Sequence, residues 1–206
     1  MRLPRLVAGA LAVAFLVSPS LAADRAIIIL DGSGSMWAQI EGEPRILIAR
    51  ETLSEVLDGI PAEIELGFMS YGHRERGNCD DIEMMVTPQA GTADAIREAA
   101  NAINPLGKTP ITEAVRQAAE GLRYTEDKAT VILITDGIET CNADPCALAG
   151  ELERVLKPGG KAVLLTSEIG TLRDAIDQCP RLRLGRHYPI NILGQGATIQ
   201  ILDRRH

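Results

Sequence analysis

RAIIILDGSGSM, residues 25–36, decides the fold. Its first part is a strand, Arg25 to Leu30, whose continuous apolar character implies burial on both faces, as in a parallel sheet covered by helices on each side. The chain then enters a loop of Asp31, Ser33 and Ser35 separated by glycines, which let it turn tightly enough for all three side chains to point one way. Outward from this stretch, Ile46, Ala49, Leu53, Val56 and Ile60 recur at three- and four-residue spacing and predict a helix. Ile64 to Tyr71 and Asp81 to Val86 read as strands, the second polar enough for an edge. Helices follow from Thr92 and from Thr109-Pro110, where proline suits the first helical position. Thr130 to Thr135 is the most apolar strand; a helix Pro145 to Lys157, a strand Lys161 to Thr166, a helix Thr171 to Gln178 and strands Leu184 to Ile190 and Ala197 to Leu202 complete the chain.

Strands separated by helices of this length imply right-handed crossovers. The expected class is α/β: a three-layer, doubly wound, Rossmann-like sheet, mostly parallel, with an antiparallel edge strand and a C-terminal antiparallel hairpin. The composition of the 206 residues, 46% apolar and 24% charged, is globular and excludes a disordered or fibrous chain. Aromatics at 3% and a net charge of −7 argue against nucleic acid as a partner, since phosphate backbones need a basic surplus and stacking surfaces. Arg2 and Arg5, the apolar run Leu6 to Val17 and the small residues before Ala22 have the layout of a secretory signal over 1–22, too short to span a bilayer. Its removal leaves 19 basic against 28 acidic residues, a net −9, and no stable membrane span. The destination is periplasmic or secreted, where disulfides persist. Of the four cysteines, Cys141 and Cys146 are close in sequence and are expected to form a local bridge; Cys79 and Cys179 pair or stay free.

In a doubly wound sheet, ligands bind beyond the carboxyl ends of the strands, where strand order reverses. Asp31 follows the first strand, Thr135-Asp136-Gly137 follows the most apolar one, and Thr109 opens a helix. Singly these are a solvated turn, a strand-ending turn and a helix cap. Together, two carboxylates and three hydroxyls make a set of hard oxygen donors suited to Mg2+, Ca2+ or Mn2+. Catalytic readings fail on the same residues. G-x-S-x-G is absent around Ser33 and Ser35, Ser33 stands where an aspartyl nucleophile needs an acid/base, and Ala102 replaces the first glycine of a phosphate-binding loop ending at Lys108. His73 could reach the same face as a base, but a lone loop histidine reads as structural or solvated.

DGSGSM, GKTPIT and TDG, in this order, resemble the metal-ion-dependent adhesion site of the von Willebrand factor type A domain. YGHRERGNCDDIE and ETCNADPCALAGEL further resemble a bacterial exported subgroup, sometimes labelled calcium-activated chloride-channel homologues. The resemblance covers the portion 23–151. It implies one divalent cation held by Asp31, Ser33, Ser35, Thr109 and Asp136, the last through water, with a partner protein supplying a further carboxylate. It implies a binding module, not an enzyme.

ERVLKPGGKAVLLTSE and RHYPINILGQGATIQIL resemble the closing elements of class I, THUMP-type RNA methyltransferases over 152–206. That family's cofactor loop and catalytic motif are absent, so methyl transfer is not implied. The expected arrangement has this segment completing the same sheet. The alternative function is a catalytically incomplete methyltransferase-like fragment, or a chimeric or frameshifted product without evolved function.

Overall fold

The computed structural model describes residues 24–123, 129–136 and 139–141, together with the backbone of three C-terminal strands. The order of elements is β1 (Arg25–Asp31), a short 3-10 turn (Gly34–Trp37), β2 (Gln39–Ile40), β3 (Glu43–Pro44), α1 (Arg45–Gly59), β4 (Glu65–Tyr71), β5 (Ile82–Gln89), α2 (Ala93–Ala102), α3 (Ile111–Gly121), β6 (Ala129–Ile134), β7 (Lys161–Thr166), β8 (Leu182–Ile192) and β9 (Gln195–Arg204). The expected signal over 1–22 and the expected helices Pro145 to Lys157 and Thr171 to Gln178 lie outside the described residues.

Seven strands form one sheet in the order β5-β4-β1-β6-β7-β9-β8. β1 pairs in parallel with β4 and β6, and β6 in parallel with β7. β5 is the antiparallel edge, and β9 runs antiparallel to both β7 and β8. The class expected from the sequence is the class observed. The two-residue hairpin β2/β3 was not foreseen, because strands so short show no periodicity.

β1 lies at the middle of the described core, and the reason is its composition. Ile27, Ile28, Ile29 and Leu30 are wholly buried. Ala26, Ile28 and Leu30 pack in one cluster with Ile46, Leu53 and Leu57 of α1 and Ile96 and Ala100 of α2. Ile27 faces the other layer, close to Gly121 at the end of α3. Each such side chain contributes about 1.5–3 kcal/mol through its removal from water.

The chain changes direction across the sheet between β1 and β6, the place where a doubly wound sheet binds its ligands. Three backbone segments are pinched together at this end. Leu106 donates to the carbonyls of Gly32 (3.0 Å) and Gly72 (3.1 Å), Gly107 donates to Gly72 (2.7 Å), and Gly34 donates to Gly107 (3.1 Å). Gly72 sits at φ +67°, and a Cβ there would lie 2.3 Å from the carbonyl oxygen of Lys108. Only glycine satisfies both conditions.

Gly91 also has a positive φ, +73°, but open space around it. Gly91→Ala is therefore expected to cost about 1 kcal/mol in urea denaturation, and Gly72→Ala roughly 3 kcal/mol or more because backbone must also move. Equal losses would show that the pinch is not tight.

Candidate functional site

Residues the sequence singled out lie at this end of the sheet. Asp31, the last residue of β1, is fully buried. Its Oδ1 accepts the backbone N–H of Ser33 (2.7 Å), and its Oδ2 accepts the hydroxyl of Thr135 (2.6 Å). The Tyr71 hydroxyl donates in turn to Thr135 Oγ1 (3.3 Å). Burial pushes the Asp31 carboxyl above its ordinary value of 3.8, against the hydrogen bonds from Ser33 and Thr135, and the charge of Asp136 adds to the rise. Burial, with the Asp31 charge second, also holds the Tyr71 phenol well above its usual range, so it remains a donor.

Ser33, Ser35 and Asp136 form a connected row. The Ser33 and Ser35 hydroxyls lie 2.9 Å apart, and Ser35 Oγ donates to Asp136 Oδ1 at 2.9 Å. Asp136 Oδ2 accepts from Arg45 at 2.6 Å, a nearly buried ion pair. Arg45 opens α1, where the helix dipole disfavours a cation. Its sequence signal was a cationic residue directly after Pro44, and only the fold shows that Asp136 is what holds it there.

Thr109 is buried and stands two residues after Gly107, the bridge partner of Ser33. Its backbone is clamped by Thr140: Thr109 N–H donates to Thr140 Oγ1 (2.9 Å), and Thr140 N–H donates to the Thr109 carbonyl (3.2 Å). Glu139 accepts the N–H of Thr112 (3.0 Å) and of Cys141 (2.8 Å), so a carboxylate from the loop after β6 covers the start of α3. Sequence reasoning missed Glu139 and Thr140, which act only once that loop is folded against α3.

The disulfide is a correction. Cys141 is bonded to Cys79, 62 residues away, and not to Cys146. Proximity in sequence favoured the local bridge, but β4 and β6 flank β1 on its two sides, so the loops that follow them meet across its end. Cys146 and Cys179 lie outside the described residues. The Cys79 loop is closed by Asp81, which accepts the backbone N–H groups of Arg74 (2.7 Å) and Glu75 (2.9 Å) and the guanidinium of Arg74 (2.7 Å). Burial raises the Asp81 carboxyl, but these donors together hold it below 3.8. His73 of the same loop bonds Glu83 of β5 at 3.0 Å.

The profile of the von Willebrand factor type A domain matches residues 26–139. The chain belongs to this family. It is 27% identical over 158 residues to the uncharacterized protein YwmC of Bacillus subtilis (strain 168), covering 68% of this chain and 70% of that one. Among solved structures it resembles the von Willebrand factor type A protein from Catenulispora acidiphila (TM-score 0.52, 12% identity, 87% of this chain and 57% of that one). It also resembles the manganese-loaded TRAP protein of Plasmodium vivax (TM-score 0.52, 18% identity, 77% of this chain and 64% of that one). This chain thus spans less than two thirds of either solved chain, and the likeness shows a shared fold. The methyltransferase resemblance of 152–206 receives no support from these matches. Type A domains are generally binding modules rather than enzymes. Among the described residues no helix is long and apolar enough to cross a membrane.

Peptide mapping without reduction is expected to yield a Cys79–Cys141 linked fragment; a Cys141–Cys146 fragment in its place would contradict the pairing. With a separation of 62 residues, replacing both Cys79 and Cys141 by serine should cost about 4 kcal/mol on the chain-entropy account.

Proposed function

We propose that this chain is an exported type A binding module. Its site holds one divalent cation between Asp31, Ser33, Ser35, Thr109 and Asp136 and presents it to a carboxylate on a partner protein. The observation that carries this reading is Asp31: a wholly buried carboxyl to which, among the described residues, no cationic side chain is bonded. An isolated charge in such a place costs several kcal/mol unless a counter-charge meets it.

The donor set fits a hard cation. Among the described residues no three His, Cys, Asp or Glu side chains are gathered as a metal cluster, so the site would rely on hydroxyls beside its two carboxylates. That composition suits Mg2+ or Mn2+, with Ca2+ as the larger alternative. When bound, the cation supplies Lewis acidity toward an oxygen ligand. The chain's own groups set the charge: Asp31 and Asp136 contribute two negative charges and Arg45 one positive, so a dication leaves a net positive site that attracts an acid. Ser33, Ser35 and Thr109 add donors without adding charge. Export is supported by the Cys79–Cys141 bond, since disulfides persist in oxidising compartments.

The raised Asp31 group fixes the sign of the pH effect. Without metal, its contribution to stability is present below 3.8 and lost as pH rises through its higher folded value. A cation reverses that cost where Asp31 is ionised. Thermal denaturation with Mg2+ at about a hundred times its dissociation constant should show roughly 2.7 kcal/mol of stabilisation at neutral pH, and less in acid, where protons compete. Asp31→Asn should melt higher than the wild type in EDTA and gain nothing from Mg2+. A wild type indifferent to Mg2+ and Mn2+, or an Asp31→Asn variant that responds like the wild type, overturns the reading.

A further inference from the structure

Trp37 is the only tryptophan in the chain. It closes the short turn that begins at Gly34, two residues after Ser35, and 50% of it is exposed while its neighbour Met36 is buried. The exposure is not looseness. Its Nε1–H donates to the carbonyl of Pro105 at 2.8 Å, so the polar edge of the indole is used within the protein and the apolar ring remains outward. Pro105 precedes Leu106 and Gly107, which are bonded to Gly32 and Gly34. The ring is therefore held by both segments that carry Ser33, Ser35 and Thr109, and its position relative to them is fixed before any partner arrives. Leu47 is the other exposed large apolar side chain among the described residues, and it stands two residues after Arg45, the partner of Asp136.

We infer that Trp37 is the apolar anchor of the binding face, and that the partner is a protein loop in which an acidic residue stands beside an apolar side chain that covers the indole. The inference rests on the cation reading above. Charge complementarity argues the acid: the site with its dication is net positive. The ring argues the neighbour: a carboxylate alone would satisfy the charge and leave uncovered a half-exposed, hydrogen-bonded tryptophan two residues from Ser35. Pre-fixed aromatic side chains lose little entropy on contact, and tryptophan is enriched among the residues that dominate interface energies.

The probe is a displayed library of disulfide-closed heptapeptides with a fixed central aspartate, selected on the whole protein in Mg2+ and eluted with EDTA. The expected result is enrichment of Phe, Trp, Leu or Met next to the aspartate. A peptide with an enriched neighbour other than Trp should shift the single-tryptophan emission to shorter wavelength. It should bind Trp37→Ser at least about tenfold more weakly, while Trp37→Phe keeps most of the affinity and Mg2+ still raises the melting point of both variants. Random neighbours, no retained peptide, or equal affinity for Trp37→Ser overturn the inference. If Mg2+ also fails to move the wild-type melting point, the cation reading falls with it; if Mg2+ does move it, only the role of Trp37 falls.

Discussion

Everything at the working end of this molecule is arranged around the Asp31 carboxylate. It is placed by β1, which is buried from Ala26 to Asp31, and is itself wholly buried. Two oriented donors, the N–H of Ser33 and the hydroxyl of Thr135, meet its oxygens, and Tyr71 extends the chain of donors from behind. Hydrogen bonds of this kind lower the cost of the charge, while burial still pushes the Asp31 group upward. On the proposed function a cation meets that cost, with the hydroxyls of Ser33 and Ser35 beside it.

The second carboxylate is treated differently. Asp136 is paired with Arg45, whose place at the start of α1 runs against the helix dipole. The two acids are thus held differently: Asp31 accepts from the uncharged donors Ser33 and Thr135, and Asp136 anchors the first helix while accepting from Ser35. The surrounding loops are held by covalent and backbone ties. Cys79–Cys141 joins the loops after β4 and β6, Thr140 clamps Thr109, and the glycines at 72 and 107 let three backbones approach within hydrogen-bond range. A site fixed in advance loses little entropy when a ligand arrives.

Much of this was legible in the sequence, for definite reasons. The apolar runs Ile27 to Leu30 and Val131 to Ile134 have only one comfortable place, inside a sheet covered on both faces, and the strand ends then locate Asp31 and Asp136. The polar character of Asp81 to Val86 marked the edge strand, which in the fold runs Ile82–Gln89. What was not legible depends on which loops meet. Cys79 and Cys141 are distant in the chain and adjacent only because β4 and β6 flank β1. Arg45, Glu139 and Thr140 look like ordinary surface residues until Asp136, α3 and Thr109 are placed against them. Trp37 counted toward a low aromatic content, and its significance lies in being exposed and pinned at once, which composition does not record.

On the proposed function, the charge on Asp31 is met by a divalent cation held beside Ser33 and Ser35. The most direct test is anomalous diffraction at the manganese edge from crystals of the whole protein grown with Mn2+ near neutral pH. One strong peak is expected against the hydroxyls of Ser33, Ser35 and Thr109, and it is expected to be lost in Asp31→Asn. No peak there in the wild type, or a peak that survives Asp31→Asn undiminished, would contradict it.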